Sequence, residues 1–347
     1  MVVAGLLGGV TASSVAAATK TTVTWKVSSM TVGVTKNLSD IASSNSTGRK
    51  TWSKSGSCTL SPASTPTKLI MGLTGACRLT LTIAQSGPYQ AKSAISTILR
   101  KGFNVNGYTI RPGADLSYAD MTGTDLTGAD LTGAFMTGTD LTGAKLSGAK
   151  LSGANLTNAN LYGAKLTGAK LTNAYLTGAN LASAKFTDAS MTGANLTDAY
   201  MTGANLTGAN LTGAYVTGAN LTDANLTGAN LTRAILYGAD MTGANLTDAN
   251  LTGAYMTGAN LYDANLTRAD LAYANLINAY LYDANLTNVN LYGAYLFNAN
   301  LTDANLSGAN LTDANLYDAN LTGANLTGAN LTDATMPDGW RDIVAAY

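Results

Sequence analysis

The 347-residue sequence contains no histidine and no glutamate, because all 20 of its acidic residues are aspartate. Without histidine there is no imidazole base and no nitrogen ligand for a metal. Without glutamate the usual acid/base and bidentate calcium roles also lack their common residue. The serine and threonine hydroxyls have no lysine motif at a recognisable spacing to activate them. We therefore do not expect an enzyme, and we predict no metal site and no cofactor.

Charge is also scarce, at 12% of residues, and its formal sum is zero. The distribution is nevertheless uneven. Twelve Lys and Arg accompany one Asp before Ala114, whereas seven Lys and Arg accompany 18 Asp from Ala114 to Asp338. A basic N-terminal part is thus followed by an acidic one, which bears on partners in a way that the total does not. We expect the basic part to contact anionic wall polymers, and we expect no nucleic-acid partner.

Residues 1–18, MVVAGLLGGVTASSVAAA, are typical of a secretory leader. An apolar stretch precedes three alanines, after which cleavage before Thr19 is expected. The first positive residue is Lys20, which indicates that the true start lies upstream; the alternative is an apolar N-terminal strand. No later segment approaches 18 consecutive apolar residues, so no transmembrane helix is predicted. We predict a signal peptide over residues 1–18 and a secreted, extracellular or cell-wall location.

Residues 19–102 have the pattern of a small β module. Apolar and polar residues alternate in TVTWKV (22–27) and LTLTI (79–83), between clusters of Ser, Gly, Thr and Pro. Both cysteines, Cys58 and Cys77, fall here, and an even count behind an export leader favours a disulfide. The alternative is a pair of buried free thiols.

The segments TWSKSGSCTL (51–60), TGACRLTLT (74–82) and AQSGPY (84–89) resemble bacterial immunoglobulin-like repeats. The resemblance implies an Ig-like β-sandwich that acts as a spacer or adhesion module on a secreted protein. It matches Cys58 and Cys77 to the paired cysteines of that pattern, and it supplies no catalytic residue.

From Ala114 onward the chain repeats one five-residue unit, Ala-(Asn/Asp)-Leu-Thr-(Gly/Asp/Asn). The central apolar residue falls at every fifth position from Leu116 to Met336, which makes 45 units without a slip. On a helix, successive members would spiral around the axis, and on a straight strand they would alternate between faces. Only a chain that turns once per unit directs every Leu inward. The small or amide residue two positions after each Leu suits that turn.

These units are identified as those of the pentapeptide-repeat family. The resemblance implies an all-β fold, a right-handed quadrilateral β-helix of about 11 coils with four units per coil. Lys145, Lys165 and Lys185 recur at an interval of 20, and Phe135 and the tyrosines from Tyr175 to Tyr295 at 40, which agrees with that coil. We predict a solenoid with caps over residues 103–338 and a C-terminal cap over 339–347. A homodimer through solenoid edges is possible.

Thr follows the core residue in 30 of the 45 units, and Asn or Asp commonly precedes it. We interpret these ladders as solubilising and mutually hydrogen-bonded; an ice-binding array is the alternative. Tyrosines concentrate between positions 255 and 295. With a coil of 20 residues, Tyr262 is expected to stack under Tyr282, and Asp263, Asp283 and Asp303 to form one column. Tyrosines beside a carboxylate column can stack a sugar ring or coordinate a cation. The alternative is that these tyrosines only pack against side chains of neighbouring strands. The predicted binding face comprises Tyr262, Asp263, Tyr280, Tyr282, Asp283, Tyr292, Tyr295 and Asp303.

Two functions from different classes remain. The favoured hypothesis is a non-enzymatic secreted rod that binds an unknown macromolecule (a protein, a glycan or a wall polymer). The alternative follows from the family resemblance: some pentapeptide-repeat proteins mimic DNA and bind DNA gyrase, protecting it from quinolones. The leader and the cysteines speak against that alternative.

Overall fold

The computed structural model describes residues 103–345 continuously, with side chains from Val105 onward, and the backbone of separate strands between Gly9 and Lys101. Contacts divide the chain into two compact units, Met1–Arg111 and Pro112–Tyr347. This division falls nine residues after the predicted boundary at residue 102. Among the described residues, no helix has the length and apolar character needed to cross a membrane.

The described part of the first unit consists of β-strands, as the alternating pattern predicts. The strands are β1 Gly9–Thr11, β2 Thr22–Trp25, β3 Ser29–Thr31, β4 Thr35–Asn37, β5 Ala42–Ser44, β6 Lys50–Gly56, β7 Cys58–Ser61, β8 Lys68–Met71, β9 Cys77–Ile83, β10 Lys92–Lys101, β11 Phe103–Val105 and β12 Tyr108–Ile110. They pair in the orders β1-β2-β5, β3-β10-β9-β6, β4-β8-β7 and β11-β12. Asn106 and Gly107 join the last two strands, both with positive φ as in a type I′ hairpin turn.

Several predictions for the first unit stay predictions. Apart from β1, the proposed signal peptide lies outside the described residues. Cys58 begins β7 and Cys77 begins β9, but their side chains are outside the described part, so the disulfide is untested. The strand pairings do not establish an immunoglobulin-like sandwich.

The second unit is a β-solenoid in which four pentapeptide units complete one coil. Each residue before a core position forms a parallel bridge with the residue 20 positions later, beginning with Asp115 to Phe135 and ending with Asn315 to Thr335. The bridges run without a slip along the whole repeat. The interval of 20 that the lysine recurrence indicated is therefore confirmed. At the spacing of adjacent strands, about 4.8 Å, the coils form a column roughly 50–55 Å long.

Three of the five amides in each unit bond to neighbouring coils. In the unit centred on Leu226, these bonds run from Asn225 N to Ala204 O (2.9 Å), Leu226 N to Asn245 O (2.7 Å) and Gly228 N to Thr247 O (2.9 Å). Short parallel ladders thus connect every coil to the coils above and below. Because each unit contributes a single bridged residue, each ladder runs from coil to coil along the column and not along the chain.

The other two amides are satisfied within the repeat. Ala229 N donates to Leu226 O at 2.9 Å, which closes a turn, and Thr227 N donates to Asn225 Oδ1 at 3.0 Å. Gly228, inside that turn, has a positive φ of 63°. Asp, Asn and a few bulkier residues occupy the same position elsewhere with φ near 55°. The sequence pattern at this turn follows directly, because glycine, Asn and Asp tolerate the left-handed region best.

The core of the solenoid consists of the central apolar residues and the alanines two positions before them. From Ala114 to Leu326 nearly all of these side chains are fully buried. Phe186 and Val289 show that the core admits some variation in size. Thr139 is the buried polar exception, and its hydroxyl donates to Leu116 O at 2.7 Å. Burial of this kind, at about 25 cal/mol per Å² of apolar surface, is the main stabilising contribution to such a fold.

The C-terminal residues cover the last coils. Helix α1, Trp340–Ile343, begins after Gly339, and the Trp340 side chain is buried. Gly323 N donates to Ile343 O at 2.7 Å, and Ala345 N donates to Ala324 O at 2.8 Å. The chain after the helix thereby replaces the strand that a further coil would supply, as the open end of a solenoid requires.

A matched pair of substitutions tests the role of the Asn or Asp before each core residue. Asn225 accepts the amide of Thr227, whereas Lys165, in the same column, has a side chain that cannot accept a hydrogen bond. We expect Asn225→Ala to lower the free energy of unfolding by about 1 kcal/mol, as for loss of a helix cap. Lys165→Ala should change it by less than about 0.5 kcal/mol. Urea denaturation of both variants checks this; equal effects would contradict the assigned role.

Candidate functional site

The coil presents four faces to solvent, each a column of bridged residues taken together with the corner that follows it. The columns run from Asp115 to Thr335 (first face), Asp120 to Asn320 (second face), Asp125 to Asn325 (third face) and Asp130 to Asn330 (fourth face). Along a face, equivalent residues recur every 20 positions, about 4.8 Å apart. This register determines which side chains can act together.

All seven cationic side chains of the repeat lie on the third and fourth faces. These faces also carry seven Asp, so their charges cancel. Ion pairs join successive coils there: Lys145 to Asp125 at 3.8 Å, Lys150 to Asp130 at 3.3 Å and Arg268 to Asp248 at 2.7 Å. The hydrogen bond from Arg268 lowers the pKa of Asp248. Exposed pairs of this kind add little stability, and they leave the two faces electrically balanced.

The first and second faces carry the other 11 Asp of the repeat and no cation, so they hold its whole excess negative charge. They also carry most of its exposed aromatic side chains. Those with at least a third of their surface exposed on the two faces are Tyr118, Phe135, Tyr162, Tyr175, Tyr200, Tyr215, Tyr237, Tyr255, Tyr262, Tyr280, Tyr282, Tyr295, Phe297 and Tyr317. Acidic and aromatic groups therefore occupy the same two adjacent faces.

An open cleft on the second face contains three of the predicted binding residues. The rings of Tyr262 and Tyr282 stack at 5.4 Å between centroids with 7° between their planes. Tyr280 lies beside them in the strand column, and the cleft has a volume of about 420 Å³. It is lined by Gly258, Asn260, Tyr262, Tyr280, Tyr282 and Asn300. Three phenolic hydroxyls and two amides around exposed rings form a surface that can both stack and hydrogen-bond.

A column of carboxylates follows this cleft. Asp263, Asp283 and Asp303 occupy successive turn positions with φ near 56°. The negative charge of Asp283, with smaller contributions from burial, Asp303 and Tyr262, raises the pKa of Tyr282 above its ordinary value. A tyrosine phenol is already protonated at neutral pH, and the raised pKa of Tyr282 extends its role as a hydrogen-bond donor to higher pH.

Two of the predicted binding residues lie elsewhere. Tyr292 belongs to the fourth face, where it packs edge-on against Tyr273 at 5.2 Å. Hydrogen bonds with Tyr273 and Asp313 raise the pKa of Tyr292 to about 12. Tyr295 belongs to the first face, in the column of Asn275. The structure thus corrects the single predicted face, because proximity in sequence does not give a shared column when the chain turns every five residues.

Many of the threonine hydroxyls are engaged within their own units, and some, such as that of Thr202, donate to the next coil. Thr207, Thr227 and Thr247, for example, donate to the Asn two residues earlier at 2.6–2.7 Å. The hydroxyls in these contacts are therefore not free to form the flat array that ice binding would need. Among the described residues, no group of three or more His, Cys, Asp or Glu is placed to hold a metal ion.

Sequence reasoning missed the apolar character of the first-face corners. Besides its strand column, this face presents Tyr237, Ile277, Phe297 and Tyr317 at the position after the core residue. Phe297 and Tyr317 stack at 6.0 Å, and Tyr237 meets Tyr255 edge-on at 6.1 Å. Sorting the residues by an interval of 20 would have revealed this face, since every member falls in the same quarter of the coil.

The fold and these faces define a β-solenoid scaffold whose chemistry lies on its outer surfaces. The family model for pentapeptide repeats matches eight copies between residues 113 and 336. The chain belongs to the pentapeptide-repeat family, whose fold is a right-handed quadrilateral β-helix.

Several solved structures are similar to this chain. HetL, a pentapeptide repeat protein involved in heterocyst differentiation regulation from Nostoc sp. strain PCC 7120, is 36% identical, with 60% of this chain and 90% of HetL covered and a TM-score of 0.31. QnrB1, a plasmid-mediated fluoroquinolone resistance protein, is 20% identical over 56% of this chain and 91% of its own, with a TM-score of 0.30. A pentapeptide repeat protein from the Arabidopsis thaliana thylakoid lumen is 33% identical over 38% and 71%, with a TM-score of 0.21. A search of curated proteins finds no match.

Proposed function

We propose that this protein is a non-enzymatic binding rod that acts outside the cell or at its surface. The observation that carries the proposal is the concentration of aromatic and acidic side chains on the first and second faces. The aromatic side chains among them are ones that the coil does not need. Core residues, turn residues and the Asn or Asp before each core residue all have structural roles, as the unit around Leu226 shows.

Some of the aromatic residues take the place of the Asn that would stabilise the coil. Where Tyr215 or Tyr255 takes the place of Asn before the core residue, the side chain offers no carbonyl oxygen to the amide two positions later. Such a local hydrogen bond contributes about 0.5–1.5 kcal/mol. Exposed aromatic side chains that replace a stabilising residue, and that gather on particular faces, indicate selection for contact with a partner.

The predicted leader and cysteine pair support an extracellular location for the rod. Fractionation of the producing cells, with N-terminal sequencing of the mature chain, tests this part of the proposal. We expect the protein in the culture supernatant or the wall fraction, beginning at or near Thr19. Recovery of an unprocessed chain in the cytoplasm would contradict it.

The cleft on the second face gives the binding prediction. We expect the full chain to sediment with purified cell envelope, and Tyr262→Ala combined with Tyr282→Ala to weaken this binding roughly tenfold, because both stacked rings are lost. Tyr162→Ala is the matched control, since Tyr162 occupies the same unit position on the same face, outside the cleft. Equal binding by all three proteins would remove the cleft from the proposal.

Binding to DNA gyrase is the second candidate, and the acid excess of the first and second faces favours it. The magnitude of that excess argues against it. The repeat carries 18 Asp against seven Lys and Arg over about 11 coils, or about one net negative charge per 4.8 Å. Duplex DNA carries one per roughly 1.7 Å. A supercoiling assay with quinolone decides the matter, and protection of gyrase by the full chain would establish this second function.

A further inference from the structure

The strand column of the first face contains a regular series of exposed aromatic side chains. We call this series the aromatic ladder: Phe135, Tyr175, Tyr215, Tyr255 and Tyr295. Each side chain is 42–56% exposed. The members recur every 40 residues, which is two coils, so successive rings are about 9.6 Å apart along the axis. The ladder spans eight coils, roughly 38 Å.

Amide side chains fill most of the intervening positions. Asn155 bridges Phe135 and Tyr175, Asn195 follows Tyr175, and Asn275 and Asn315 flank Tyr295. Ile235 alone interrupts this alternation. The face therefore presents an aromatic ring at every second coil and, in most of the gaps, a group able to donate and accept hydrogen bonds.

We propose that the first face binds an extended, uncharged β-1,4-linked glycan chain. In such a chain each sugar is flipped relative to the next, so the same ring face recurs at every second sugar. The length of that disaccharide repeat, about 10 Å, is similar to the two-coil spacing of the ladder, about 9.6 Å. Pyranose rings offer an apolar C–H face to aromatic side chains, and the asparagines lie at the level of the sugars between. The inference rests on the proposed binding function and names the partner of a face other than the cleft.

The charge of the first face favours a neutral polymer. The face carries no Lys or Arg, and its four Asp lie at the ends of the repeat or at corners (Asp115, Asp198, Asp318 and Asp338). An anionic polymer would meet repulsion without any compensating cation. A neutral glycan meets no such repulsion and needs no cation, because stacking and hydrogen bonding supply its contacts.

The spacing itself can be tested without changing composition. In a swap variant, Asn195→Tyr with Tyr215→Asn, the same two residues exchange places in the column and the two-coil interval is lost. The matched control is Asn180→Tyr with Tyr200→Asn, the same exchange between bridged residues of the second face. Depletion of each full-length protein from solution by microcrystalline cellulose and by chitin measures binding. We expect the swap variant to bind roughly tenfold more weakly and the control swap to bind as the unaltered protein does.

Each other outcome overturns the inference. It fails if the unaltered protein is not depleted by cellulose or chitin, or if both swaps bind equally. It also fails if analytical ultracentrifugation shows a dimer that only the first-face swap dissociates, because a second copy would then be the occupant. Loss of envelope binding in the Tyr262 and Tyr282 variant, without any glycan binding, would leave the proposed function standing and remove this inference alone.

Discussion

Leu226→Asp is expected to unfold the middle of the solenoid, lowering the free energy of unfolding by at least about 4 kcal/mol. The Leu226 side chain is fully buried in the core. A carboxylate at that position has no cation within the core, because every cation of the repeat lies on an outward face. It therefore loses its hydration without a partner, and the apolar contacts of the leucine are lost as well.

The matched control for this substitution is Leu226→Met. Methionine already stands at equivalent core positions such as Met201 and Met241, both fully buried, so the change should lower stability by less than about 1.5 kcal/mol. Urea denaturation followed by circular dichroism measures both variants. Because each coil contacts only its neighbours, the Asp variant should also acquire protease cleavage sites near residue 226. An Asp variant as stable as the Met variant would show that Leu226 is not a core residue.

The core and the turns of the solenoid were predictable from the sequence. A five-residue period without a slip leaves one geometry in which every Leu is buried, and the structure buries them all from Leu116 to Leu326. The Gly, Asp or Asn two positions later takes the positive φ expected of it. Both features are local, so they follow from the residues of a single unit.

The role of the residue before the core was only partly predicted. Hydrogen-bonded ladders were expected, but the bond to the backbone amide of the same unit was not, because the side chain faces solvent. Asn225 looks like a solubilising side chain, yet it accepts both the amide and the hydroxyl of Thr227. The preference for Asn or Asp over other polar residues was the available signal. Glutamine would solubilise equally well, but its longer side chain is poorly suited to reach the amide two residues on, and a serine hydroxyl makes that bond more weakly than Asn or Asp does.

The binding faces were only partly predictable. Tyr262 and Tyr282 were expected to stack because they are 20 residues apart, and they do. Tyr292 and Tyr295 were grouped with them by proximity in sequence, and the structure places those two on other faces. The number of units per coil decides such grouping. That number depends on hydrogen bonds between coils rather than on any single unit, so the core pattern alone does not contain it.

Deletion of one pentapeptide unit should preserve the fold and change which residues share a face. Without residues 204–208 the core pattern continues unbroken, so we expect the protein to fold. Every later residue, however, moves by a quarter of a coil. Asn195 would then bridge to Asn220 instead of Tyr215, and paired cysteine substitutions at these positions, mapped by mass spectrometry, report the change. The lower part of the aromatic ladder, from Tyr215 on, leaves the face of Phe135 and Tyr175.

A deletion of two whole coils, although larger, should weaken glycan binding less than the deletion of one unit. Removing residues 176–215 deletes two whole coils, so that Tyr175 precedes Tyr255 by two coils and the spacing of the ladder is kept. We expect this protein to retain binding to cellulose or chitin, while the protein lacking residues 204–208 binds roughly tenfold more weakly. Both keep the cleft of Tyr262 and Tyr282 intact, because its residues all follow the deletions. If the protein with the larger deletion instead bound more weakly than the protein with the smaller one, the register of the coils would not determine this binding surface.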